Sequence, residues 1–376
     1  MNIAIVCYPT FGGSGVLATE LGKALAQKGH SIHFITYQQP VRLSGFYTNI
    51  YYHEVHVPAY PLFDFAPYET ALASTLVDVA IKNKIDLVHA HYAIPHASAA
   101  YMAKKILARQ GYSLPVITTL HGTDITLVGK DKTYRPVVTF SMLESDRLTA
   151  VSKNLKEETY KNFDIDKPID VIYNFVDFQR FNRKPVLAFK QMLAPQGEKI
   201  IAHSSNFRKL KRVQDVVAVF AKLRQRMPVK LLLIGDGPER PSIEMLANTL
   251  DLSADVRFLG KQEQIEDILP LADLFLLPSE YESFGLAALE AMAAELPVIS
   301  SDAGGLPEIN IHESTGYLCP VGDISQMADC SYELLTNETM HAAYRKQALE
   351  QAKRFSIDTI VPQYEELYRS VLTDLG

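Results

Sequence analysis

The stretch LFLLPSEYESFGLAALEAMAAELPVIS, residues 274–300, decides the fold. A short apolar run leads into a polar loop, a helix starting near Gly285, then Pro297 and a second apolar run, so the order is strand, loop, helix, strand. Strands joined by a crossover helix pair in parallel. Glu282 falls in the loop and Glu290 inside the helix. At about 1.5 Å rise per residue, Glu290 stands roughly a turn and a half beyond the helix start. The two carboxylates therefore occupy different levels. A glycosidase pair would flank a single scissile bond. Here the amides of Phe284, Gly285 and Leu286 open a helix between them, a place suited to a phosphate or to sugar hydroxyls. The plainer reading, two solvated helix-end glutamates, fits Glu282 better than Glu290, whose neighbours AALEAMAA are small or apolar.

The same unit recurs along the chain. The first half shows NIAIVCY, SIHFITY, DLVHAHY, PVITTLHG and RLTAVS as strands, with helices near 15–28, 68–83 and 96–110. The second half shows KIIAHSSN, VKLLLIGDG, VRFLG, LFLLPS and PVISSDAGG, with helices near 211–226, 238–249, 264–268 and 285–295. Between them KPIDVIYNFVDFQRFNRKP, residues 167–185, is polar and proline-bounded and marks a domain boundary. The expectation is an α/β chain of two doubly wound lobes, 1–170 and 171–357, facing across a cleft, with an amphipathic helix 358–376 packing back on the first. Ligands of such sheets bind at the carboxyl ends of the strands.

Composition narrows the function. The chain has 376 residues, 47% hydrophobic and 21% charged, which suits a globular protein of enzyme size. A net charge of −6 argues against general nucleic-acid binding, and no apolar run is long enough to span a bilayer. Cys7, Cys319 and Cys330 cannot all pair and show no metal spacing, so the chain reads as cytoplasmic. The N-terminal apolar run breaks at Gly12 and Gly13 and reads as a strand, not a signal peptide.

Each motif sits at a strand end. TFGGSGVLATEL, residues 10–21, gives glycines and a helix N-terminus, but FITYQQP supplies no acidic residue for a dinucleotide ribose. Its plainer reading is a tight turn. HAHYAIPHA and TLHGTD hold four histidines, yet no carboxylate or cysteine completes a metal set; His89 and His91 are expected to face opposite ways along their strand. His121 ends an apolar strand before a glycine and reads as a hydrogen-bonding group for a polar substrate, with core packing as the alternative. SSNFRKLKRVQDVV crowds Arg208, Lys209, Lys211 and Arg212 at a helix start, where the helix dipole disfavours cations unless an anion such as a diphosphate joins them. A solvated face fits Lys209 and Arg212 better than Arg208 and Lys211. LLLIGDGPE flanks Asp236 with glycines and is weak alone.

Taken together, the E-x7-E stretch Glu282–Glu290, the GGSG turn, TLHGTD, VIYNFVD, IGDGP and DAGGLPE resemble the retaining GT-B glycosyltransferases of family 4 over nearly the whole chain. HAHYAIPHA, ESDRLTAVS and SNFRKLKRV bring the resemblance closest to a bacillithiol-biosynthesis branch. That resemblance implies UDP-N-acetylglucosamine as donor, L-malate as acceptor, an α-glycoside formed with retention, and neither metal nor cofactor. It implies a donor site of Gly13, Asn206, Arg208, Lys211, Glu282, Ser283, Phe284, Gly285, Leu286 and Glu290, with Glu290 on the ribose and Glu282 on the hexose. His121, Arg208, Lys211 and Glu282 would carry catalysis. Tyr92, Thr123 and Arg147 would meet the acceptor, Arg147 by a bidentate carboxylate contact. The family's usual arginine falls on Asn206 here, with Arg208 two residues on as the cation. Other acceptors of the family, an inositol phosphate or a glycan, stay open, as does assembly into a homo-oligomer. An oxidoreductase or a non-catalytic nucleotide-sugar sensor are the competing classes; the missing acidic residue counts against the first.

Overall fold

The computed structural model describes residues 1–10, 12–58, 64–181 and 187–374; Phe11 of the first glycine turn, residues 182–185 of the interlobe stretch, and the last two residues of the expected terminal helix lie outside it. The chain divides into two compact units, Met1–Asn174 with Ile357–Gly376, and Phe175–Ser356.

In the first unit the strands are β1 Asn2–Val6, β2 Ser31–Thr36, β3 Ile50–Glu54, β4 Leu87–His91, β5 Val116–Leu120, β6 Arg147–Ala150 and β7 Ile169–Val171. They form one sheet in the order β3-β2-β1-β4-β5-β6-β7, parallel throughout. The second unit carries β8 Lys199–Ser205, β9 Val229–Gly235, β10 Val256–Gly260, β11 Leu274–Leu277, β12 Val298–Ser301 and β13 Gly316–Cys319, ordered β10-β9-β8-β11-β12-β13 and again parallel. The central strands are apolar runs because helices cover both faces: every residue of β4, β5 and β11 is buried. Both orders reverse direction beside the first strand, between β1 and β4 and between β8 and β11. A crevice opens at such a reversal, outside the carboxyl ends of the strands.

The helices fall at Gly13–Gln27, Tyr68–Asn83, Ser98–Ala108, Val213–Arg224, Arg240–Thr249 and Leu286–Ala293, close to where periodicity puts them. The segment near 264–268 is instead two 3-10 turns, Ile265–Asp267 and Leu269–Leu271, because Pro270 has no N–H to continue a helix. Edge strand β3 and the helices Arg135–Glu144 and Lys153–Asn162 had no strong sequence signal. Helix Ile357–Asp374 belongs to the first unit, fastened by Glu365 to His30 at 2.9 Å and Lys28 at 3.1 Å and by Tyr368 Oη to His89 Nδ1 at 2.7 Å. Among the described residues no helix is long and apolar enough to cross a membrane.

Candidate active site

In the second unit the loops leaving β8 and β11 meet at the strand-order reversal. The β8 loop is held by its neighbour. A Cβ on Gly235, at φ +120°, would stand 1.8 Å from the Ser205 carbonyl, and one on Gly237 would stand 2.7 Å from the Phe207 carbonyl. The GDG of LLLIGDGPE is therefore the space that lets β9 cradle the basic loop. His203, buried, donates Nδ1–H to the Leu276 carbonyl at 2.8 Å and meets Ser205 Oγ through Nε2 at 2.8 Å, tying β8 to β11. The Glu280 amide donates to the Leu210 carbonyl at 2.8 Å, which joins the two loops directly.

At that junction Lys211 Nζ donates to Glu282 Oε1 at 2.6 Å, and Ser279 Oγ donates to the same oxygen at 2.8 Å. Both partners of the pair are mostly shielded, with side chains 18% and 12% exposed, so the pair is far less screened than a surface one. The loop after β12 backs it. The Gly305 amide donates to the Glu282 carbonyl at 2.8 Å, and a Cβ on Gly304, at φ +62°, would stand 2.0 Å from that carbonyl. Gly285, at φ +98°, is the N-cap of helix Leu286–Ala293, and its missing Cβ admits Leu306. The Phe284 ring is buried against Phe355, so only its backbone can serve a ligand. Glu290 lies in the buried face of the Ala-rich helix, 7% exposed, one level below Glu282. Ser283 lies between Glu282 and the helix cap.

The four cations of the basic loop part company. Lys211 is paired with Glu282, and Arg212 Nε donates to Asp215 Oδ2 at 2.6 Å in the first turn of the following helix. Arg212 is thus an ion-paired residue, not a member of a solvated face; the helix carries its own acid to offset the unfavourable dipole. Arg208 and Lys209 are exposed and make no ion pair among the described residues, and Asn206 is exposed beside them.

In the first unit the reversal between β1 and β4 gathers different material. Gly13 opens helix Gly13–Gln27 and is exposed, while Gly15 is required for packing: its Cβ would stand 2.3 Å from the Tyr8 carbonyl. Tyr92 follows β4 with φ +87°, a strained value for a bulky residue, and its hydroxyl donates to Ser14 Oγ at 3.0 Å. Its ring lies 5.1 Å from that of His121, and Thr123 also hydrogen-bonds its hydroxyl. Burial, aided by Asp124, pushes the Tyr92 phenol up to about 12. Tyr92, His121 and Thr123 are therefore brought together. Asp124, not singled out in the sequence, fixes this arrangement: it accepts from the amides of Gly122 at 2.9 Å, His121 at 3.3 Å and Ala93 at 3.2 Å, joining the loops after β4 and β5. Burial holds its carboxyl up at about 6 in spite of these bonds.

Two expectations are corrected here. His89 and His91 do not face opposite ways; residues two apart in a strand share a face, and their rings stand 4.3 Å apart. His89 is fully buried between Tyr368 and Thr119, each 2.7 Å away, and burial pushes it down to about 3. Arg147 is not at the site. It is the first residue of β6, at the amino edge of a parallel sheet, and its guanidinium donates to Asp374 at 2.6 Å, so it lies at the opposite edge from Tyr92 and Thr123. Among the described residues no group of three or more His, Cys, Asp or Glu side chains could hold a metal ion.

The arrangement offers a charged anion-binding corner on one sheet and a neutral hydrogen-bonding corner on the other. The model of Glycosyltransferase Family 4 matches residues 11–180, and that of glycosyl transferases group 1 matches residues 187–351. The N-acetyl-alpha-D-glucosaminyl L-malate synthase of Bacillus anthracis is 46% identical over 376 residues, covering 100% of this chain and 98% of the relative. Among solved structures, sucrose-phosphate synthase from Thermosynechococcus elongatus superimposes with a TM-score of 0.83 at 22% identity, covering 100% of both chains. Anabaena HepE in complex with UDP and glucose does so with 0.84 at 22% identity, covering 98% of this chain and 100% of that one. These structural likenesses give the fold, two Rossmann-like units of the GT-B class. With a family model on each unit and a close relative along its whole length, the chain belongs to the group 1 and family 4 glycosyltransferases.

Proposed function

We propose that this glycosyltransferase moves N-acetylglucosamine from UDP-N-acetylglucosamine to the hydroxyl of L-malate, with retention, as the opening step of bacillithiol synthesis. The observation that carries the donor half is the Lys211–Glu282 pair at the β8/β11 reversal, beside the N-terminus of helix Leu286–Ala293. The acceptor half is supported by the 46% identical relative, whose name states both the sugar and L-malate.

In this reading the second unit is the donor lobe and the first, with the terminal helix, the acceptor lobe. Glu290 accepts hydrogen bonds from the ribose, and Glu282 from the hexose through the carboxylate oxygen that neither Lys211 nor Ser279 occupies. Lys211, Arg208 and the helix amides stabilise the diphosphate as charge builds on it, an effect that is large where water is excluded. The bond from the sugar C1 to the β-phosphate oxygen breaks as the bond from C1 to the malate oxygen forms. The departing phosphate oxygen takes the malate hydroxyl proton on the same face, so no side chain need act as base. That suits the residues present, since Glu282 is engaged by a lysine and His121 is held neutral by burial, at about 3. Gly13 is assigned to the diphosphate, and Tyr92, Thr123 and His121 to the acceptor and the sugar. Arg147 has no part in it.

The test is direct. The protein is incubated with UDP-N-acetylglucosamine and L-malate, UDP release is measured, and the anomeric configuration of the product is read by NMR. UDP release that depends on L-malate, with an α-linked product, is expected; no release with L-malate, or with any other hydroxy acid, would remove the proposal.

A further inference from the structure

The histidines behind the first-unit site form an ordered chain of hydrogen bonds with a fixed direction. His96 Nδ1 lies 2.5 Å from the His91 carbonyl oxygen, which can only accept, so His96 carries its proton on Nδ1. His91 Nδ1 lies 2.9 Å from His121 Nε2, and one proton occupies that contact. Its owner is decided by the other His91 nitrogen. His91 is 2% exposed, and its Nε2 is buried with no hydrogen-bond partner among the described residues. A proton there would be an orphaned buried donor, which is rarer and costlier than an under-used acceptor. The proton therefore sits on His91 Nδ1, His121 Nε2 accepts it, and the proton of His121 is left on Nδ1. That nitrogen is not among the buried unpartnered atoms.

We propose that His91 is a positioning residue that holds His121 in the Nδ1–H form, so that His121 presents a hydrogen-bond donor to the substrates and cannot act as a base through Nε2. Nothing in the sequence motif TLHGTD dictates this, because the partner comes from the neighbouring strand. The parallel register of β4 and β5, with His91 opposite Thr119, sets the two rings side by side, 5.1 Å between centroids and 24° apart in plane. The surroundings add to the effect. The groups facing His121 are His91, the Tyr92 ring, His96, the buried His89 behind them and the Asp124 carboxylate, which is turned to backbone amides, and burial with the nearby His96 pushes His121 down to about 3. A ring locked as a donor suits an oxygen that gains negative charge; a ring free to exchange tautomers would spend part of its time with the wrong group forward. This inference rests on the reading that His121 meets the substrates, although its first test needs no substrate.

Long-range ¹H–¹⁵N correlation spectra of the full chain, labelled at histidine, distinguish a protonated Nδ1 from a protonated Nε2. His91 and His121 are assigned by the loss of their signals in His91→Phe and His121→Phe. Both rings are expected as the Nδ1–H form from pH 6 to 8, with no titration near 6.5. A His121 protonated on Nε2, or titrating near 6.5, would overturn the proposal even if the enzyme makes the expected product. A correct spectrum without UDP release would instead fault the proposed function. In turnover, His91→Phe is expected to lower kcat at least about tenfold with the donor KM within twofold. His91→Asn, whose amide nitrogen can stand where Nδ1 stood, is expected to restore most of it. Equal kcat in His91→Phe and the parent would contradict the positioning role, and if His91→Phe does not fold, the spectrum of the unmodified protein decides the matter.

Discussion

The carboxyl ends of the two sheets share a strand order and differ in material. In the second unit the reversal between β8 and β11 is closed by a lysine, a glutamate and an exposed arginine on glycine-shaped loops. In the first, the matching reversal between β1 and β4 is closed by Tyr8, Tyr92, His96 and His121, packed edge-on or tilted against one another with centroids 4.6 to 6.4 Å apart. A doubly wound sheet fixes where a ligand goes, not which ligand. The charged corner suits a diphosphate, whose negative charge needs fixed cations. The neutral corner suits hydroxyl groups and the reacting sugar, where a titrating base would only add side reactions.

The contrast can be broken most sharply at Lys211. Lys211→Ala leaves Glu282 without its cation and, in the proposed donor site, the diphosphate without its clamp, so kcat is expected to fall roughly 10² to 10³-fold, the range for loss of one preorganised stabiliser. Steady-state UDP release measures it, and a loss below fivefold would mean that the charge lies elsewhere.

Acid should separate the two units. Burial lowers His89 and His121 to about 3, His96 and His33 to about 4, and His91 well below 6.5. These rings lie below their unfolded value, so the stability they contribute is fully present above about pH 6.5 and is lost as pH falls toward 3 to 4. Each proton taken up on unfolding removes about 1.4 kcal/mol per pH unit in that window. Asp124 has the opposite sign: raised to about 6, it favours the folded state below its unfolded value and that contribution is lost as pH rises through 6. One carboxylate offsets one imidazole and leaves the rest. In the second unit His203, lowered to about 4, is the corresponding ring. Hydrogen-exchange protection factors at pH 7.5 and 5.5, corrected for intrinsic rates, should therefore fall further in β4 and β5 than in β8 and β11. An equal fall in both would contradict the account.

The smallest effect is expected at Arg147. Its exposed pair with Asp374 is worth at most about 1 kcal/mol, so Arg147→Ala should leave kcat/KM for L-malate within twofold while lowering Tm slightly. A tenfold rise in the L-malate KM would restore it to the site.

Much of this was legible in the chain. The periodicity of residues 274–300 gives the strand, helix and strand, and the helix rise alone separates Glu282 from Glu290 by level. Strand direction was legible as well, and it removes Arg147: a residue that begins a parallel strand stands at the edge away from ligands. So was the period of two that puts His89 and His91 on one face. What could not be read were partners distant in sequence. Lys211 and Glu282 are 71 positions apart, His91 and His121 are 30 apart, and the three amides held by Asp124 come from two loops. Each of these depends on sheet order, which local pattern does not contain.

The division of labour between the two corners is tested most directly by varying both substrates for two variants, Glu290→Gln and Tyr92→Phe. The account expects Glu290→Gln to raise the KM for UDP-N-acetylglucosamine about tenfold and leave that for L-malate unchanged, and Tyr92→Phe to do the reverse. If Glu290→Gln leaves the donor KM unchanged, or if both variants shift the same substrate, the charged corner is not the nucleotide-sugar clamp.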